Sequence, residues 1–157
     1  MNRTVLPTLA QVLDREGVGY DVIPHSRTES ALEEAAAIGV RTGEVAKTLV
    51  VKTPDGYARA VLPASERIDM RKLREVLDGG KEIRLATEDE LQRDYPEFEL
   101  GAVPPFGGRT DTVVVDSRLA GRESVVLEAG SHELSLRVET KGLLALAKAH
   151  IADVSLD

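Results

Sequence analysis

The feature that most constrains this 157-residue chain is the order of its short periodic segments. Helix-like and strand-like stretches do not alternate strictly, and Gly, Pro or Asp cuts each of them short. Strict βαβ alternation builds a parallel, doubly wound sheet or barrel. A chain that departs from it must pair consecutive strands directly. The clearest such pair is 45–52 with 57–62, two β-rich runs joined around Pro54-Asp55-Gly56, which is a hairpin signal.

Local signals supply the remaining order. Residues 6–16 read as a helix with Leu6, Leu9, Val12 and Leu13 on one stripe, ended by Gly17 and Gly19. Tyr20–Ile23 is a short strand closed by Pro24. Ser30-Ala31-Leu32-Glu33 is a capping-box pattern that opens an Ala-rich helix stopping at Gly39. Asp69 caps a helix over 70–77, ahead of Gly79-Gly80. Ile83–Ala86 is a strand, and Thr87-Glu88-Asp89-Glu90 is a second capping box. A loop rich in Gly and Pro runs from 96 to 111. Strands follow at Thr112–Asp116, Ser124–Glu128 and Glu133–Glu139, and Thr140 is placed to cap a last helix over 141–149. The pattern predicts one α+β domain over residues 1–157. Its sheet is mixed, mostly antiparallel and seven-stranded, curled into a partial barrel with helices outside.

Composition limits the core and the compartment. Apolar residues make up 42%, the ordinary globular share, but aromatics are only 3%: Phe98, Phe106, Tyr20, Tyr57 and Tyr95. The core is therefore expected to be Val, Leu, Ile and Ala. Without cysteine, disulfides, thiolate metal sites and a cysteine nucleophile are excluded, which fits a reducing cytoplasmic location. Met1–Pro7 does not open a signal peptide, and no stretch approaches the roughly 20 apolar residues that span a bilayer. The net charge of −7, with no basic tail, argues against a protein that coats nucleic acid. It leaves room for one that grips only an end, with Arg27, Arg109 and Lys47 as its positive contacts.

Three segments could carry chemistry. Lys47 shares a strand face with Val45, Leu49 and Val51, so it either reaches water at the strand's edge or points into a pocket. In Gly101-Ala102-Val103-Pro104-Pro105-Phe106-Gly107-Gly108, prolines stiffen the backbone and glycines open unusual conformations. Such a loop presents backbone groups to a ligand, or else connects two elements while Phe106 plugs the core. Ala129-Gly130-Ser131-His132 places a hydroxyl and an imidazole near a turn, and His25-Ser26-Arg27-Thr28 is similar. His150, the third histidine, suits a helix C-terminus. No close His pair or HExxH supplies metal-ligand spacing, so no metal is expected. GxGxxG, GxxxxGK[ST] and GxSxG are absent. Glu33-Glu34 and Glu88-Asp89-Glu90 read as solvated helix faces, not as paired catalytic acids.

These segments together resemble the YbaK/ProX family, free-standing relatives of the editing domain inserted in bacterial prolyl-tRNA synthetases. The resemblance rests on His25 and Thr28, Gly43-Glu44-Val45-Ala46-Lys47-Thr48-Leu49-Val50, Gly101-Ala102-Val103-Pro104-Pro105-Phe106-Gly107, and Gly130-Ser131-His132, over about residues 4–150. It implies trans-editing: hydrolysis of the ester of a mischarged tRNA that carries a small amino acid (Ala, Ser or Cys), on the proline tRNA. It places the family's lysine on Lys47 and its ester-lining glycine on Gly101, as catalytic residues. His25, Thr28, Pro104, Phe106, Gly107, Ser131 and His132 become substrate-binding residues. Where some members carry an aspartate in the last strand, this chain has Ser135. The implied partners are the CCA end of the tRNA and a prolyl-tRNA synthetase, with no cofactor, metal or membrane. The competing readings are an inactive module of the same fold that binds tRNA or a synthetase, and an unrelated small-molecule hydrolase.

Overall fold

The computed structural model describes residues 5–157, with side chains from Leu9 onward. The Met1–Thr4 segment and the Leu6 side chain, both used in the sequence reading, lie outside the described residues. Helix α1 (Val5–Arg15) leads through Gly17, in the left-handed region, to β1 (Tyr20–Pro24). Helix α2 (Ala31–Ile38) starts where the Ser30 hydroxyl accepts from Glu33 N–H. It ends at Gly39, whose φ of 84° favours glycine. A short 3-10 turn (Thr42–Glu44) precedes the hairpin of β2 (Ala46–Thr53) and β3 (Gly56–Pro63). Helix α3 (Met70–Leu77) is capped by Asp69, which accepts from the N–H groups of Arg71 and Lys72. A 3-10 turn (Gly80–Glu82) leads to β4 (Arg84–Leu85), then to α4 (Glu88–Asp94), opened by the Thr87–Glu90 capping box. After the Gly/Pro loop come β5 (Thr112–Asp116), α5 (Ser117–Ala120), β6 (Ser124–Ser131), β7 (Leu134–Glu139), α6 (Thr140–Ala147) and β8 (His150–Ala152).

The fold is α+β with mixed sheets, as expected, but the strands form two hydrogen-bonded sheets instead of one. A three-stranded antiparallel sheet has the order β1-β7-β6, and a five-stranded mixed sheet the order β4-β2-β3-β5-β8. Within the second, β3/β5 and β5/β8 pair in parallel, and β2 pairs antiparallel with both β3 and β4. A single bridge, Val45 to Val126, joins the sheets where β2 begins. The helix α5 and the strand β8 were not read from the sequence. Four residues and three residues are too short to show a period.

The C-terminal end departs from expectation in two ways. Glu139, not Thr140, holds the N-cap position of α6, and Thr140 Oγ1 finds no hydrogen-bond partner. The helix stops at Ala147 because Lys148 turns left-handed, with φ 50°. His150 therefore sits on β8, opposite Val114 of β5, and not at a helix end.

The five-stranded sheet is buried on both faces. One face (Val50, Val61, Val113, Val115) packs with Val125, Leu127, Leu136 and Val138 of the other sheet and with Leu9, Leu13 and Leu143 from the helices. The opposite face (Val51, Ala58, Ala60, Val114) packs under Leu73, Ile83 and Val154. A third cluster, Ala35, Val45, Ala64 and Val126, seats α2 over the junction of the two sheets. The core is mainly aliphatic, with Tyr57, Tyr95, Phe98 and Phe106 buried in its largest cluster.

Candidate functional site

The junction between the sheets opens into a cavity of about 190 Å³. The start of β2 forms one wall with Ala46, Lys47, Thr48 and Leu49, and the loop forms another with Gly101, Val103 and Pro104. Leu127 and Glu128 of β6 and Ala31 and Glu34 of α2 complete it. On one edge β2 is paired with β3 throughout, Lys47 standing opposite Leu62, but its other edge is open beside Lys47. Its edge partner β4 pairs only with Val51 and Lys52, at the strand's far end. The Lys47 Nζ donates to the Glu66 carbonyl at 2.5 Å, and burial holds its pKa below the ordinary lysine value.

Three of the nine residues singled out from the sequence line this cavity: Lys47, Gly101 and Pro104. Four others stand behind the wall. Thr28 is buried, and its N–H donates to the His132 carbonyl at 3.0 Å. His132 is buried with its Nε2 2.6 Å from the Leu100 carbonyl. A carbonyl only accepts, so Nε2 carries the hydrogen and locks the ring beside Gly101. Ser131 is buried, and its hydroxyl accepts from Glu133 N–H. His25 is half-buried, and its Nδ1 and Nε2 lie 2.7 Å from the Ser26 carbonyl and 2.8 Å from the Ser135 hydroxyl. Phe106 and Gly107 are not brought to this cavity. Phe106 is buried in the main core, and the Gly107 carbonyl accepts from Arg59.

Gly101 has a φ of 80°, and a Cβ there would come 3.5 Å from the His132 ring, an ordinary contact. The reason for glycine is the backbone, not a close approach at this point. Of the cationic residues proposed for RNA, Arg27 pairs with Glu29 and Glu99, and Arg109 lies over the Tyr57 and Tyr95 rings. Neither lines the Lys47 cavity.

Sequence reasoning missed two wall residues and misread one of them. Glu34, which the sequence pattern puts on a solvated helix face, is fully buried, whereas Glu33 beside it is exposed. The signal was present: Ala31, Glu34, Ala35 and Ile38 fall at i, i+3, i+4 and i+7, so Glu34 belongs to the inward stripe. Glu128 follows Val125-Val126-Leu127 in a strand buried almost throughout. Burial raises the Glu34 pKa to about 7, against the opposing effect of the Ser135 hydroxyl bond. Burial, with the charge of Glu34 next, raises that of Glu128 to about 9.

The polar groups behind the wall form a relay. Ser135 Oγ contacts Glu34 Oε2 on one side and His25 Nε2 on the other. One hydroxyl hydrogen serves only one of these, so the other contact needs a proton from its partner. Ser135 thus links a half-exposed imidazole to a buried carboxyl. A larger hollow, about 340 Å³, lies beside the hairpin turn, but its Asp111 already binds Arg59 and Tyr95. Among the described residues no group of three potential metal ligands occurs, and no helix is long and apolar enough to cross a membrane.

The architecture is an α+β domain with a cavity at the junction of its two sheets, and it is shared with the aminoacyl-tRNA editing domains. The family model of the aminoacyl-tRNA editing domain matches residues 25–146, and the chain belongs to that family. The likeness extends to solved structures. One, described as a candidate trans-editing enzyme for prolyl-tRNA synthetase, is 27% identical. It matches with a TM-score of 0.84, over 98% of both chains. A second, the hypothetical protein APE2540, is also 27% identical with a TM-score of 0.85, over 95% of this chain and 99% of the other. The proline–tRNA ligase of Fervidobacterium nodosum is 24% identical over 124 residues, 77% of this chain and 21% of the ligase. That of Thermosipho melanesiensis is 20% identical over 132 residues. The chain thus spans about a fifth of the length of these ligases, 21% and 23%.

Proposed function

We propose that this chain is a trans-editing deacylase that hydrolyses the ester between a small amino acid and the 3′ end of a tRNA, with the proline tRNA as its substrate. The observation that carries the reading is the cavity of about 190 Å³ with Lys47 and Gly101 on facing elements. A cavity of this size suits a small aminoacyl group. An alanyl ester has six non-hydrogen atoms: the nitrogen, Cα, Cβ, the carbonyl carbon and two oxygens. The apolar parts of Ala31, Ala46, Leu49, Val103 and Leu127 exclude a larger side chain by size, the logic of a second sieve.

An aminoacyl ester is already activated, so no nucleophilic side chain is needed. Water adds to the carbonyl carbon, negative charge grows on the carbonyl oxygen, and the bond to the ribose oxygen breaks. The products are a free amino acid and a tRNA with an intact 3′ hydroxyl. A half-buried ammonium stabilises that growing charge in a site of low polarity, which water does poorly. Lys47 takes this role, or orients the terminal phosphate, once it exchanges the Glu66 carbonyl for substrate. His132, locked by Leu100, and the Gly101 backbone hold the opposite wall in place. The prolyl-tRNA synthetase is the partner that supplies the mischarged product.

The test is a panel of alanyl-, seryl- and cysteinyl-tRNA, loaded on the proline tRNA, with wild type and Lys47→Ala. The wild type hydrolyses at least one of them. Lys47→Ala stays folded and loses about 100- to 1,000-fold in rate, the cost of deleting one oxyanion donor. Lys47→Arg is also poor, because a planar fork does not replace a compact ammonium. A wild type inert on every ester defeats the deacylase reading and leaves a binding module. Full activity in Lys47→Ala removes Lys47 from the mechanism.

A further inference from the structure

Glu34 and Glu128 meet at one place for reasons of register. Ser135 pairs with Glu128 across β7 and β6, so their side chains leave the sheet on the same face. The Ser135 hydroxyl also binds the Glu34 carboxyl, which descends from α2. Glu34 is fully buried and Glu128 is 9% exposed, and both line the Lys47 cavity. Each leaves one oxygen, Glu34 Oε1 and Glu128 Oε2, without a hydrogen-bond partner.

Burying such atoms is costly unless something completes them. The protein's own cations do not. Lys47 donates to the Glu66 carbonyl instead. His132 Nδ1 lies 2.8 Å from Glu128 Oε2, at ion-pair distance, and supplies at most one donor to the two carboxyls. Arg27 is turned to Glu29 and Glu99. The missing complement is a small group with several N–H donors and one positive charge. A primary ammonium has three donors and no acceptor.

We propose that Glu34 and Glu128 form the seat for the α-ammonium of the aminoacyl group, and that they make the site selective for an ester with a free amine. The proposal rests on reading the cavity as the aminoacyl seat. It sets the substrate's direction: ammonium toward α2 and β6, ester toward Lys47 and Gly101. It also gives the carboxyls a charge state to change. Empty, the two acids sit close enough that ionising one opposes the other. An ammonium offsets one negative charge, so its arrival favours loss of a proton from the pair. The charged and titratable groups around the pair are Lys47 on β2, His132 and Glu99 behind β6, Arg27 and Glu29 before α2, and His25 through Ser135.

The test uses two amide-linked, unhydrolysable probes: 3′-alanylamino-3′-deoxyadenosine and its lactyl counterpart, which replaces the ammonium with a hydroxyl of similar size. Calorimetry is expected to show the alanyl probe binding wild type about ten- to a hundredfold more tightly, the range of a charged hydrogen bond. Glu34→Gln and Glu128→Gln keep the shape of the protonated acids and should bring the two probes to near-equal affinity. Equal binding of both probes by wild type overturns the proposal without any variant. So does a preference that survives in both glutamine variants.

Hydrolysis of alanyl-tRNA, followed in parallel, separates this proposal from the reading beneath it. Amine-selective binding without hydrolysis sinks the deacylase and leaves the ammonium seat standing. Hydrolysis with no amine preference does the reverse. Binding of neither probe overturns the seat.

Discussion

Two buried charged regions of this molecule differ in how completely they are satisfied. Around the base of the 101–111 loop, the Arg59 and Asp111 side chains are 1% and 2% exposed. All three guanidinium nitrogens of Arg59 are engaged, by the carbonyls of Pro104, Gly107 and Arg109 and by Asp111. Asp111 also accepts from the Tyr95 hydroxyl, and the guanidinium lies over the Tyr95 ring. Glu34 and Glu128 are buried nearly as deeply, yet each keeps an oxygen without a partner. A saturated network fixes a backbone shape, whereas an unsaturated one keeps acceptors for something that arrives later. Arg59 sets the loop that carries Gly101 and Pro104, and the two glutamates wait across the cavity.

The sharpest way to break this contrast is Arg59→Ala. It leaves Asp111 buried without its cation and frees three loop carbonyls. The expected loss is about 3–5 kcal/mol of stability, measured by urea unfolding. Arg59→Lys is expected to recover only part of it, because an ammonium cannot span the carbonyls of Pro104 and Gly107 together as the fork does. A loss under about 1 kcal/mol for Arg59→Ala would show that the loop does not depend on this network.

The glutamates predict a pH dependence of the opposite character. Their pKa values in the folded protein, about 7 and about 9, lie above the ordinary 4.5. The folded state therefore holds protons that the unfolded chain releases. Their contribution to stability is complete below about pH 4.5, and it is lost as pH rises through 7 for Glu34 and through 9 for Glu128. Lys47, held low by burial, acts in the other direction. Wild-type stability should thus fall between pH 5 and 9. Glu34→Gln should remove the fall up to about 7, and Glu128→Gln more of it, to about 9. Urea midpoints at several pH values measure this. Parallel curves for wild type and both variants would mean that the carboxyls are not buried as described.

The smallest effect expected is that of Gly101→Ala. The added methyl meets only the His132 ring at ordinary distance, so the cost is the positive φ, about 1–2 kcal/mol. Deacylation should fall further than stability alone explains, because the loop relaxes away from Lys47. A variant with normal stability and normal activity would show that this backbone position is free.

How far the site was legible varies residue by residue. Lys47 stood out because a charge on an apolar strand face is anomalous, and it does line a cavity. Gly101 and Pro104 stood out by composition, and they form the other wall. Phe106 and Gly107 share that composition, but the chain turns them inward to the core and to Arg59. Glu34 was hidden beside Glu33, because a pair of acids in a first helical turn looks solvated until the stripe is counted from Ala31. Arg59 drew no notice, since a strand pattern does not show whether its one charged residue faces water or the core.

By itself the sequence determined where most elements begin and end. Ser30, Asp69 and Thr87 cap the helices they were expected to cap, and Gly39 ends its helix. Pro54-Asp55 turns the β2–β3 hairpin in register from Thr53 and Gly56 to Ala46 and Pro63. The caps and the turn are contacts between residues a few positions apart, so the local chain carries the information they need, and the hairpin register follows from the turn. The tertiary structure alone decided the split into two sheets, the parallel β3–β5–β8 run, and the burial of Arg59, Glu34 and Glu128. Ser135 meets Glu34 across 101 positions, and Arg59 meets Gly107 across 48. No local period encodes such pairings. They are selected when the apolar faces close and each polar group trapped between them must find a partner or, at this cavity, go without one.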